Sequence, residues 1–109
     1  MFLRVGGVLS FYILIELKIW KKGIEIKNKI NVDVFVPTLD KSFNLFIPVN
    51  KTVGEIVQLL NKAINELSDG EFPISNNLSL INLYTGILYN FEFSVKNNKI
   101  ENGSRLILL

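Results

Sequence analysis

From Ile30 the chain alternates. Ile30, Val32, Val34 and Val36 are separated by Asn31, Asp33 and Phe35, a period of two that predicts a strand with one buried face. Pro37 ends it. The turn formers of PTLDKS follow, and then Phe43, Leu45 and Ile47 alternate with Asn44 and Phe46 up to Pro48, a second strand. Paired as a hairpin, Val36 is expected to face Phe43, Val34 to face Leu45 and Val32 to face Ile47. A one-residue slip would turn all of these side chains to the wrong face. The period changes at Thr52. Val53, Ile56, Val57, Leu59, Leu60, Ala63, Ile64 and Leu67 recur at three- and four-residue spacing, which predicts a helix over about 52–67 with a wide apolar stripe. Thr52 followed by Glu55 is a capping-box pattern, and Gly70 suits the left-handed residue that closes a helix.

Past the helix the pattern loosens. SDGEFPISNN reads as a loop, with Phe72 and Ile74 expected to dip into the core. Leu78, Leu80, Asn82 and Tyr84 alternate with Ser79, Ile81 and Leu83, which predicts a third strand. Thr85-Gly86 is then a turn, and Ile87 to Tyr89 a short strand running back. Phe91, Phe93, Val95 and Ile100 sit in irregular polar sequence, the setting of a loop or a short 3₁₀ turn. Asn102-Gly103 is the strongest turn dipeptide, and it launches Arg105 to Leu109 as the last strand. A two-stranded hairpin cannot cover the helix stripe, so the later strands must join the same sheet.

Composition narrows the chemistry. At 109 residues, 49% apolar and 11% aromatic, the chain is sufficient for one packed core. It has no cysteine, which removes disulfides and thiolate metal sites, and no histidine, which removes the commonest general base and metal ligand. The net charge of +2 divides unevenly. Residues 1–29 hold six basic and two acidic side chains, and residues 30–109 hold six basic and eight acidic. The mildly acidic folded part argues against a nucleic-acid partner. Asp33, Asp40, Glu66, Asp69, Glu71, Glu92 and Glu101 are scattered without metal-ligand spacing and read as solvated charges. Lys96, Lys99 and Arg105 form at most a small basic patch. Trp20, Tyr84 and Tyr89 are expected to pack at the core or its rim. No nucleophile and no cofactor site can be defended.

Residues 1–28 form an N-terminal extension ahead of a domain at 29–109. It has an uncharged run from Val5 to Ile15, and then Glu16, Lys18, Lys21 and Lys22. Such a run is short against the ~20 apolar residues that span a bilayer. Three readings stay open: an interfacial or signal-anchor segment, an element docked on the domain, or a reading frame opened upstream of the native start. Contact with a membrane is expected only if residues 1–20 are genuine.

The order strand, strand, helix, strand, short strand, strand resembles a ubiquitin-like β-grasp domain. The likeness rests on the opening hairpin, the Thr52-Val-Gly-Glu-Ile helix start and the closing Ile100-x-Asn-Gly-x-Arg-Leu-Ile-Leu. Within that group the run from Ile30 to Leu109 is most similar to the YukD/EsaB family, attached to type VII (WXG100, ESX-type) secretion in Gram-positive bacteria. The resemblance implies an α+β fold, with a mixed four- to five-stranded sheet wrapped on one helix. It also implies a non-enzymatic cytoplasmic adaptor at the inner face of the membrane, whose protein partner is the secretion ATPase or another secretion component. The alternative is a membrane-tethered ubiquitin-like interaction domain unrelated to secretion. Leu106 to Leu109 are expected to be the last strand, without the flexible Gly-Gly tail of a ubiquitin-type modifier, so conjugation and sulfur transfer are disfavoured.

The candidate site is a surface. In the expected register Phe35 and Phe46 point away from the helix, and Ile107 and Leu109 join them if Leu106 and Leu108 enter the core. Two phenylalanines, an isoleucine and a leucine on a solvent face read as a protein-docking patch. Two occupants stay open: a partner or second copy of the chain, or the chain's own Phe11–Trp20 segment folded over the face.

Overall fold

The first three apolar runs become the elements their periods predict. The computed structural model describes residues 28–109, and readings of the N-terminal extension fall on residues outside that range, apart from Asn28. The first strand, β1, is Lys29–Val36, and the second, β2, is Lys41–Pro48. They pair antiparallel, with Val34 opposite Phe43, Val32 opposite Leu45 and Ile30 opposite Ile47. This register differs by two positions from the expected one. The connection is four residues, Pro37–Asp40, instead of the six of PTLDKS, so Lys41 and Ser42 extend β2. One helical turn makes that short loop. The Leu39 N–H donates to the Val36 carbonyl and the Asp40 N–H to the Pro37 carbonyl, both at 3.0 Å. Asp40 closes it at φ 54, a left-handed conformation that aspartate tolerates better than most residues. A shift of two keeps every side chain on its expected face. Val32, Val34, Val36, Phe43, Leu45 and Ile47 are all buried.

The helix, α1, is Val53–Leu67. Its first turn leaves no N–H idle. The Glu55 N–H donates to the Thr52 hydroxyl oxygen (3.2 Å), and the Glu55 carboxylate accepts from the Thr52 N–H (3.0 Å). The Val53 and Gly54 N–H groups donate to the carbonyls of Phe93 and Phe91. At the other end the Gly70 N–H reaches back to the Asn65 carbonyl (2.8 Å), with Asp69 and Gly70 both at positive φ. Val53, Ile56, Val57, Leu60, Ala63 and Ile64 are buried, while Leu59 and Leu67 pack at the margin of the core.

The remaining strands complete one four-stranded mixed sheet in the order β2-β1-β4-β3, where β3 is Leu80–Asn82 and β4 is Arg105–Leu108. β4 runs parallel to β1 and antiparallel to β3. This is the β-grasp arrangement, with Leu80, Leu106 and Leu108 facing the helix in the core. The third strand is shorter than the Leu78–Tyr84 alternation predicts. The Asn82 side-chain oxygen accepts from the Tyr84 and Thr85 N–H groups (2.8 and 3.0 Å), which turns the chain out of the sheet. The expected strand at Ile87–Tyr89 contributes only an isolated bridge, Leu88 to Ile81. Phe72, Val95 and Ile100 are buried from turn-rich sequence.

Ile74 corrects a further expectation. It is 60% exposed, not in the core. Asn61 is the reason. Asn61 lies within the apolar stripe of α1 at 3% exposure. It donates to the Pro73 carbonyl (3.0 Å) and accepts from the Ser75 N–H (2.8 Å). The two bonds grip the backbone on either side of Ile74, so its side chain is left outside. A buried amide satisfied in this way is stable where an unpaired one would not be.

Candidate interaction surface

The register places the outward side chains in rows across the face of the sheet opposite α1. Cross-strand partners share a face, so the pairs Phe35–Ser42, Phe35–Ile107, Ile81–Ile107 and Ile81–Leu88 form one row running Ser42, Phe35, Ile107, Ile81, Leu88. Four of its five members are apolar. Phe35, Ile107 and Ile81 are half-buried, and Leu88 is exposed. Leu109, 51% exposed, stands two residues beyond Ile107 on the same side. Of the four residues predicted for the site, the fold therefore brings Phe35, Ile107 and Leu109 together.

Phe46 shares the face but not the cluster. It pairs with Asn31, four residues from Phe35 along β1, or about 13 Å. A polar row lies between them. Asn44 stands opposite Asp33, and Asp33 opposite Arg105. The Asn44 amide donates to Asp33 Oδ1 (2.7 Å), and Asn31 and Asn44 exchange bonds of 2.9 and 3.0 Å. Arg105 Nε lies 3.7 Å from Asp33 Oδ2. The face is thus an apolar row bordered by a hydrogen-bonded polar belt, with Phe46 on the far side. Ile81 and Leu88 were missed as members. Their signal was present: Ile81 has the outward parity in the alternation Leu80, Ile81, Asn82, and only the register between strands shows which side chains adjoin it.

Other candidate chemistry disperses. Arg105 faces Asp33, whereas Lys96 and Lys99 line a separate hollow with Asn28 and Asn50, so the three do not make one basic patch. Asp40 and Asp69 occupy left-handed turn positions. Among the described residues no three carboxylates are grouped to hold a metal ion, and no helix is long and apolar enough to cross a membrane. The start of α1, a common anion site, has its N–H groups taken by Phe91, Phe93 and Thr52. Tyr89 packs against the core and accepts from the Asn82 amide (3.0 Å), and burial raises its pKa above the usual tyrosine value, an effect the Asn82 bond opposes. Tyr84 is exposed instead of packed at the rim.

No family model and no curated protein matches the chain. Solved structures do. A chain of the MycP5-free ESX-5 inner membrane complex aligns at TM-score 0.63 with 18% identity, covering 75% of this chain and 21% of that one. The EccD5 ubiquitin-like domain from Mycobacterium xenopi aligns at 0.61 with 15% identity, covering 74% and 92%. The ubiquitin-like domain of an Arabidopsis thaliana protein aligns at 0.57 with 20% identity, covering 75% and 77%. At these identities the likeness is one of fold, and the fold is ubiquitin-like.

Proposed function

We propose that this chain is a non-enzymatic protein-interaction adaptor that docks a partner on the outer face of its sheet and serves as a cytoplasmic accessory component of a type VII secretion system. The observation that carries the docking site is the row Phe35, Ile107, Ile81, Leu88, continued by Leu109, on a face that solvent would otherwise cover. A partner fitting it lays apolar side chains along that row and meets the belt of Asn44, Asp33 and Arg105 with polar groups, because an apolar cover over the belt would strand its donors and acceptors. Phe46 then serves as an outlying contact beyond the belt. The secretion assignment draws on the sequence resemblance to the YukD/EsaB family, with support from the fold likeness to the EccD5 domain and to the ESX-5 complex chain. On that reading the partner is the secretion ATPase or another component of the machine.

The test is a crosslinked pull-down from the native cell with the full chain, set against a Phe35→Asp, Leu88→Asp double variant whose fold is checked by circular dichroism. Recovery of secretion components by the wild type and their loss in the folded variant is the expected result. Equal recovery by both would move the site off this face. If neither brings down a secretion component, the secretion reading fails.

A further inference from the structure

A second surface lies on the helix side of the domain, away from the outer face. One stripe of α1, including Val57, Asn61 and Lys62, forms the floor of an open groove of about 540 Å³, with Ile74 and Leu78 along one wall and Phe91 at the end. Two features make its shape fixed. The grip of Asn61 on the Pro73 carbonyl and Ser75 N–H holds the wall with Ile74 turned outward. At the end, the Gly54 N–H donates to the Phe91 carbonyl (3.0 Å), and a Cβ at position 54 would come within 3.3 Å of that oxygen, so the absence of a side chain there lets the Phe91 segment close onto the helix.

The charge of the groove selects an occupant. Its lining contains one charged residue, Lys62, and no carboxylate, although the residues from Ile30 onward carry more acid than base. Between described residues the ion pair is Asp33 with Arg105 on the other face, and Lys62 has no carboxylate within 4.0 Å. Ile74, Leu78 and Phe91 are its large apolar members, Gln58, Ser75 and Asn76 its neutral polar ones, and the exposed Lys62 its cation. We infer that this groove binds a short acidic-apolar segment of a partner protein, its apolar side chains against Ile74, Leu78 and Phe91 and its carboxylate toward Lys62. An open trough of this kind suits a peptide segment laid along the helix. An adaptor with this groove on one side and the apolar row on the other holds two proteins at once.

The experiment selects random dodecapeptides displayed on phage against the full 109-residue chain, and titrates the enriched peptides into the wild type and three variants. Peptides pairing apolar residues with Asp or Glu are expected to be enriched. Ile74→Asp, an exposed position, should weaken them by at least about tenfold, and Lys62→Glu by about tenfold through the change from attraction to repulsion. Phe35→Asp should leave them unchanged, which separates this groove from the outer face. Repeating the selection on Lys62→Glu should replace acidic peptides with basic ones. The inference is overturned if no peptide is enriched, if the enriched peptides carry no acidic bias, or if their binding survives Ile74→Asp and Lys62→Glu.

Discussion

Residues 29–67 and residues 71–104 build one core by different means. In the first region the backbone is satisfied by the β1–β2 ladder and by α1, and the side chains alternate or recur with the period of the element. In the second, β3 pairs with β4 over three residues, scattered backbone bonds hold the turns, and side-chain amides add to them. Asn61 and Asn65 bind the Pro73 and Phe72 carbonyls, Asn82 turns the chain at Tyr84, and Asn98 bonds the Asn90, Phe93 and Ser94 carbonyls while accepting from the Asn90 N–H. Repetition of one residue type is therefore structural here. An asparagine carries both a donor and an acceptor on a short arm, so it can replace a neighbouring strand wherever the chain is irregular. Where the fold is regular, geometry is set by pattern; where it is not, single amides join the backbone bonds that set it.

The largest effects would test whether both regions share the core. Leu45→Ala in the first and Ile100→Ala in the second each remove a buried side chain, and each should cost about 2–5 kcal/mol in urea unfolding. A cost under about 1 kcal/mol at Ile100 would mean that residues 71–104 lie over the core without belonging to it. Next in size is the amide comparison. Asn61→Ala removes two part-buried hydrogen bonds, to the Pro73 carbonyl and from the Ser75 N–H, and should cost about 1–3 kcal/mol, with loss of hydrogen-exchange protection at the Ser75 amide. Asn44→Ala, on the exposed face, should change stability by no more than about 0.5 kcal/mol. Equal costs at the two positions would mean that the Asn61 amide does no more to hold residues 73–75 than an exposed amide does on the sheet.

The same difference governs how much the sequence discloses. The alternation from Ile30 to Val36 and from Phe43 to Ile47, and the stripe from Val53 to Ile64, lead directly to β1, β2 and α1, because burial on one face imposes the period. The hairpin register does not follow from it. Alternation is blind to a shift of two, and the deciding residue, Asp40, carries no glycine to advertise its positive φ. Asn61 reads in the sequence as a polar break in a stripe, and its grip on residues twelve and fourteen positions away has no local signature. That is why Ile74 was expected inside. On the candidate surface, parity alone places Phe35, Phe46 and Ile107 outward. Their grouping depends on β4 lying beside β1, a pairing of Phe35 with Ile107 across most of the domain, and the two-residue shift of the hairpin register, which sets Phe46 opposite Asn31, separates it from the others.

Effects of the size of a single cap fall where the two regions meet, at the start of α1. Thr52→Ala removes the hydroxyl that receives the Glu55 N–H and should cost about 1 kcal/mol. The other half of the cap titrates. The Thr52 N–H bond lowers the pKa of Glu55 below its ordinary value of 4.5, slight desolvation of the exposed carboxylate opposes this, and Lys51 and the Thr52 hydroxyl add to the lowering. A carboxylate whose folded pKa is depressed stabilises the fold fully above its unfolded value, and that stabilisation fades as pH falls through the folded value. Glu55→Gln keeps an oxygen for the Thr52 N–H but removes the charge. The gap between wild type and Glu55→Gln in urea midpoint should therefore be open at about pH 6 and narrow by about pH 3.5, the other carboxylates cancelling between the two proteins. A gap independent of pH would mean that the carboxylate does not hold the Thr52 N–H in solution. In that case the clasp of the Phe91–Phe93 segment on Val53 and Gly54 would be what starts the helix, and Thr52→Ala should then cost less than its cap value.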